Sequence, residues 1–158
     1  MKKIIASVAL PILLISLLFA GDDLAPMQRR MEALAIGEIT LAYRLIALAA
    51  SLSIAAATDN DAILGLLENV EGTLGNGKLF LGTQDPRGAF AKDILLLVDE
   101  TLLCASKVKE YTKNKNYENL QKIRSCIDPL EEKISGLTER FNKAPSHAPP
   151  ENPAATKK

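Results

Sequence analysis

Apolar side chains recur at helical spacing along most of the chain, and they predict four helices. In the first predicted helix, from about Pro26 to Ala57, they follow alternating steps of four and three residues, the spacing of a seam between packed helices. This first apolar line consists of Met27, Met31, Leu34, Leu41, Leu45, Leu48, Leu52 and Ala55, with Glu38 as its one charged member.

A second apolar line runs along the other side of the same helix and consists of Ile36, Ile39, Tyr43, Ile46 and Ala50. A narrow stripe between the two lines suits water, through Arg30, Gly37, Thr40, Arg44 and Ser51. A helix that is apolar on two sides must bury both, either in its own bundle or against a second copy. The uncharged stretch from Leu45 to Ala57 is shorter than the roughly 20 residues that cross a bilayer, so we expect a buried helix.

The second predicted helix begins after Thr58 to Asp61, whose side-chain oxygens can cap its first amides. Its apolar positions are Ile63, Leu67, Val70 and Leu74, and the run Gly75-Asn76-Gly77 then predicts its end. We therefore expect a short second helix, about half as long as the first. The glycine and lysine spacing before Leu79 matches a phosphate-binding loop, but Leu79 replaces the required hydroxyl, so the glycines indicate a turn.

Asp85-Pro86 predicts the start of a third helix, and the polar segment 112–116 predicts the turn into a fourth. Asp128-Pro129 in that fourth helix predicts a kink or a break. Its apolar positions keep their phase across the proline: Leu120, Ile123, Ile127, Leu130, Ile134, Leu137 and Phe141. The four segments together predict an all-α fold, an antiparallel four-helix bundle.

Both ends of the chain differ from the bundle in composition. Residues 1–20, two lysines followed by an uncharged apolar run, predict a secretory signal peptide cleaved between Ala20 and Gly21. Residues 143–158 are rich in proline and polar residues, which predicts a disordered tail. The bundle domain is therefore expected at 21–142, in an exported protein that is periplasmic or secreted. The alternative is a protein anchored in the membrane by an uncleaved signal.

Two cysteines gain meaning from the predicted hairpin of the third and fourth helices. Cys104 and Cys126 are equally far from Lys115 at the turn, so an antiparallel pair sets them at the same height. In an oxidising compartment such a pair predicts a disulfide. Two buried thiols and a redox pair are the alternatives, and the spacing is unlike the C-x-x-C of redox enzymes.

The tip of the same hairpin is rich in basic residues and predicts a possible interaction site. Its members are Lys107, Lys109, Lys113, Lys115, Lys122 and Arg124, with Tyr111 and Tyr117 beside the turn. Such a tip can contact an anionic membrane surface or an acidic protein, or it can be a solvated loop.

Candidate chemistry is sparse. The 19 basic and 19 acidic residues cancel, which disfavours a nucleic-acid partner, and the one histidine, His147, lies in the predicted tail. No metal, haem or hydrolase motif is present, so we expect no cofactor, no metal site and no enzymatic activity. The sequence favours a protein that binds another protein or itself in the cell envelope. The alternative is a bundle that binds a small apolar ligand or lipid between its first and third helices.

Overall fold

Four helices make up the computed structural model of the chain, which describes residues 24–83 and 90–144. They are α1 (Leu24–Ala55), α2 (Asn60–Thr83), α3 (Ala91–Lys113) and α4 (Tyr117–Lys143). The described residues contain no strand. The predicted all-α four-helix bundle is therefore confirmed, and the predicted bounds of the first helix are close to those of α1.

The helices are arranged as a rhombus. α1 and α3 pack against each other, and each of them packs against both α2 and α4, whereas α2 and α4 barely touch. Contacts at both ends show that α1 and α3 are parallel, since Glu32 bonds to Phe90 at one end and Ser53 to Thr112 at the other. Successive helices are antiparallel, as predicted. The core therefore lies around the short diagonal from α1 to α3.

The second helix is not short, so that prediction is wrong. α2 has 24 residues against 32 in α1, and it continues through Gly75 and Gly77 to Thr83. A glycine that ends a helix usually adopts a positive φ, and no described glycine does. Tertiary contacts stabilise this last part of α2: Lys78 pairs with Asp99 of α3, and Gly77 lies against the side chain of Glu38 on α1.

Of the kink or break expected at Pro129, the break is absent, because α4 is one continuous helix with the proline inside it. Pro129 lies on the exposed side of α4, where water can bond to the carbonyl that the proline leaves without a donor. The apolar side of the helix remains continuous on both sides of it, with Ile123, Leu130 and Leu137 buried.

The observed caps account for two helix starts. Asp59 accepts a hydrogen bond from the amide of Asp61 at the start of α2, as the predicted capping segment requires. Asn116 accepts one from the amide of Asn119 at the start of α4. The predicted start of the third helix at Asp85-Pro86 lies outside the described residues.

Candidate interaction surface

The two apolar lines of α1 differ in their exposure to solvent. The second apolar line faces the core, where Ile39 is 1% exposed and Ile46 is fully buried. Members of the first apolar line face outward: Leu34 is 61% exposed, Leu41 59% and Leu48 50%. The line that the sequence presented as the main packing seam is thus divided, because Leu45 and Leu52 pack against the edge of the core while the other three leucines face solvent.

Small residues explain this orientation. Ala35, Ala42 and Ala49 recur every seven residues on α1 and are buried against the other helices. Three helices crowd one side of α1, and alanine lets their backbones approach more closely than leucine would. The sequence analysis weighted large side chains and overlooked this alanine repeat, which was the available signal for the inner side.

We call the outward side of α1 the outer face, defined by Leu34, Leu41 and Leu48 together with Gly37 and Arg44 beside them. The three leucines are spaced seven residues apart. No atom of the described residues lies within 4 Å of the position where a Cβ on Gly37 would be, so the glycine leaves a notch in this face. The bundle itself does not require a glycine there.

Two shallow grooves meet at this notch. The first lies along α1 itself and is lined by Arg30, Ala33, Leu34, Gly37, Glu38 and Leu41. The second, of about 340 Å³, lies between α1 and α4, where Thr138, Phe141 and Asn142 form its far wall. Both grooves are open at the surface rather than enclosed between helices.

Two charged groups on this side of α1 have no partner in the described part of the chain. Glu38 is half-buried at the edge of the outer face and makes no ion pair or hydrogen bond with any described residue. Burial raises the pKa of its carboxyl above the ordinary value. Arg44 is exposed and likewise makes neither contact with a described residue.

By length and composition, α1 between Met27 and Ala55 is also the one described helix that could cross a membrane. The core helix of a soluble protein satisfies the same criteria. The inner side of α1 packs against three other helices, as expected for a core helix.

The basic residues predicted at the hairpin tip do not form one exposed surface. Tyr111 is buried, and Lys109 pairs with Glu71 at 2.8 Å on α2. Lys122 lies between Glu110 and Glu118. These carboxylates raise the pKa of both lysines and neutralise their charge locally.

Most of the remaining residues of the predicted tip are exposed to solvent. Lys107 is half-buried, and the other four side chains are exposed: Lys113, Lys115, Arg124 and Tyr117. Contact with an anionic membrane surface therefore stays a prediction that rests on three exposed cations.

The predicted pairing of cysteines is present. Cys104 on α3 and Cys126 on α4 are joined by a disulfide, with their Cα atoms 5.6 Å apart. Cys104 is fully buried and Cys126 packs at the edge of the core. The link is a structural staple of the α3–α4 hairpin.

Buried polar groups have structural partners. The hydroxyl of Thr112 bonds to Ser53, and Glu32 accepts the amide hydrogen of Phe90. Arg29 donates to the carbonyls of Phe141 and Ala144 and stacks on the Phe141 ring. Within the described residues, no buried side-chain polar atom lacks a partner and no three potential metal ligands cluster.

The predicted cleavage site at Ala20 and Gly21, and His147 in the predicted tail, lie outside the described residues. Of the features that the structure describes, the outer face of α1 is the strongest candidate for function. Comparison of the chain with known protein families, with curated proteins and with solved structures finds no match.

Proposed function

We propose that this protein is an exported, non-enzymatic helical bundle that acts by binding a protein through the outer face of α1. One observation carries the proposal: Leu34, Leu41 and Leu48 are half-exposed or more on a helix whose opposite side is already packed. A repeated apolar line that the fold leaves in water is typical of an interaction surface.

The alternative, a bundle that holds a small apolar ligand, has less support. α1 and α3 pack directly against each other where such a ligand was expected. Ligand sites usually enclose most of the ligand surface, whereas the grooves beside Gly37 are shallow and open. A long apolar face beside open grooves favours a macromolecular partner.

Export is the second part of the proposal and rests on two features. The apolar run from Ile4 to Phe19 follows two lysines, and the disulfide of Cys104 and Cys126 suits an oxidising compartment. Fractionation of the host cell with a C-terminal tag tests it, and mass spectrometry defines the mature end. An N-terminus at Gly21 supports cleavage, whereas an intact start at Met1 in a soluble cytosolic fraction contradicts export.

Site-specific photo-crosslinking in the host cell tests the binding surface. A photoreactive residue replaces Leu41 on the outer face or, as a control, Gly136 on the exposed side of α4. We expect a discrete protein adduct from position 41 and none from position 136. Equal labelling at both positions, or no protein adduct at position 41, contradicts the proposal.

A further inference from the structure

The side chains of α2 become more exposed after Leu74. We call residues 75–83, the last part of this helix, the distal segment. Leu74 is 2% exposed, whereas the side chains of residues 75–79 are half-buried or exposed, and Leu79 is 71% exposed. A stretch of helix that buries few apolar side chains opens locally more readily than the core of a protein.

Two glycines lie at the start of the distal segment. Gly75 and Gly77 each destabilise a helix relative to alanine, and the run Gly75-Asn76-Gly77 is typical of a helix end. This run is nevertheless helical, and none of its residues has a positive φ. Because the run itself favours the helix so weakly, contacts of the distal segment with the neighbouring helices decide whether it stays wound.

Contacts with α3 and α1 hold the distal segment in place. Lys78 pairs with Asp99 on α3, but both side chains are exposed, so water and salt weaken the pair. On the α1 side, the atom Oε2 of Glu38 lies 3.4 Å from the position where a Cβ on Gly77 would be. The backbone of α2 therefore covers part of a carboxyl group that has no ion pair or hydrogen bond with any described residue.

We propose that the distal segment is a pH-sensitive switch: it lies against α1 while the carboxyl of Glu38 is protonated, and it detaches at Gly75 more often once that carboxyl ionises. An ionised carboxylate needs water or a positive partner, and the backbone at Gly77 supplies neither. Unwinding at Gly75 returns the carboxylate to water. This switch goes beyond the proposed binding function and does not depend on it.

The direction of the switch follows from the burial of Glu38. Burial raises the pKa of this carboxyl in the closed state, and exposure to water in the open state returns the pKa towards the ordinary 4.5. The closed state is therefore favoured most below pH 4.5, and that advantage is lost as the pH rises through the raised value. At neutral pH the distal segment opens more often and exposes Glu38 at the edge of the outer face, beside the groove along α1.

The neighbouring charges do not replace water at Glu38. The adjacent charge on α2 is Lys78, which is already paired with Asp99 of α3. On α1, Arg30 lines the same groove but lies about 12 Å away along the helix axis. Arg44 lies about 9 Å away along the axis and lines the groove on the α4 side. α4 contributes no described residue to the groove at Glu38. Ionisation of Glu38 therefore opposes the closed state.

Amide hydrogen exchange followed by mass spectrometry tests the switch on the protein purified from its host. We compare the wild type with Glu38→Gln, which keeps the shape of the side chain without its charge, and with Glu132→Gln, the same change at an exposed position of α4. At pH 7, the amides of residues 76–83 should exchange at least about threefold more slowly in Glu38→Gln than in the other two proteins. At pH 3.5 all three should exchange alike, because Glu38 is then neutral. Each comparison is made at one pH, so the effect of pH on the intrinsic exchange rates cancels.

The amides of α4 are the internal reference and should exchange alike in all variants at a given pH. Equal exchange of residues 76–83 in the wild type and Glu38→Gln at pH 7 overturns the proposal. Faster exchange in Glu38→Gln also overturns it, because the ionised carboxylate would then hold the segment closed.

A second pair of variants locates the hinge. Gly75→Ala should slow the exchange of residues 76–83 at both pH values, because alanine favours the wound form, whereas Gly72→Ala should leave it unchanged. The same effect in both variants would overturn Gly75 as the hinge. No partner takes part in these measurements, so their failure leaves the binding function to the photo-crosslinking test.

Discussion

At the scale of single residues, the disulfide is the clearest covalent feature. Cys104 and Cys126 close a loop with a sequence separation of 22 residues between two antiparallel helices. The pairing could be predicted from the sequence, because both cysteines are equally distant from the turn. The structure adds that Cys104 is buried in the core. The disulfide therefore links α3 to α4 on the core side of the hairpin and not on its surface.

Removal of the disulfide should destabilise the bundle. In the chain-entropy model a loop of this length contributes about 3 kcal/mol, so the double variant Cys104→Ala with Cys126→Ala should lose about that much free energy of unfolding. Urea unfolding followed by circular dichroism measures the loss. A reductant should destabilise the wild type similarly and leave the double variant unchanged. A reductant-insensitive wild type would show that no disulfide forms in solution.

Glu38 gives a prediction about pH. Burial raises the pKa of this carboxyl in the folded state, so the folded protein holds the proton more tightly than the unfolded chain does. The stability that this group contributes is therefore present at acid pH, below its unfolded value of 4.5, and is lost as the pH rises through the raised folded value.

Glu38→Gln should consequently increase the free energy of unfolding at pH 7 and change it little at pH 3.5. The measurement is urea unfolding followed by circular dichroism. Glu132→Gln, the same change at an exposed position of α4, controls for the substitution itself. A gain for Glu38→Gln that is equal at both pH values would contradict burial as the cause.

At the scale of elements, α2 shows how tertiary contacts override a local signal. Gly75 and Gly77 are ordinary helix terminators, yet α2 passes through both with negative φ angles. The ion pair of Lys78 with Asp99 and the close approach of Gly77 to α1 favour the extra turns. Neither contact can be found from the order of residues within α2.

The variant Gly75→Ala distinguishes a helix that continues through Gly75 from a helix that ends there. In a continuous helix, alanine should stabilise the protein by about 0.5–1 kcal/mol, because it loses less conformational entropy than glycine on folding. Within the part of the chain that the structure describes, no atom lies within 4 Å of the added Cβ. If Gly75 instead ended the helix with a positive φ, alanine would destabilise it. Gly72→Ala, inside the helix in either case, is the control, and thermal unfolding measures both variants.

In α4, a residue that usually breaks helices is tolerated because of its position. Pro129 lies on the exposed side, so water can bond the carbonyl that it leaves free. On the buried side, the apolar positions continue without interruption. The sequence predicted that the phase would be kept and left a kink or a break as alternatives at Pro129. It could not exclude the break, because the side of α4 that faces solvent depends on the neighbouring helices.

At the scale of the whole molecule, the orientation of α1 determines which side chains the protein exposes to solvent. Packing around the diagonal from α1 to α3 buries the alanine side and turns the leucines outward. A mutation on each side should therefore have very different consequences for folding.

Ile46→Ala should cost about 2–5 kcal/mol of the free energy of unfolding, because it leaves a cavity in the core between helices. Ile46 is fully buried, whereas Leu41 is 59% exposed. Leu41→Ala should change the stability of the monomer by no more than about 0.5 kcal/mol, as expected for a surface position. Chemical denaturation at low protein concentration measures both variants. A large loss of stability for Leu41→Ala and a small loss for Ile46→Ala would contradict this orientation of α1.

The pattern of residues along the chain was enough to predict the class of the fold, the number of helices and the pairing of Cys104 with Cys126. These properties depend on spacing along the chain, since helical periodicity and distance from a turn are local quantities. The bounds of α2 and the choice between the two apolar lines of α1 were decided only by the tertiary structure. Both sides of α1 were apolar enough to be buried, and close packing against three neighbours selected the side with the smaller residues.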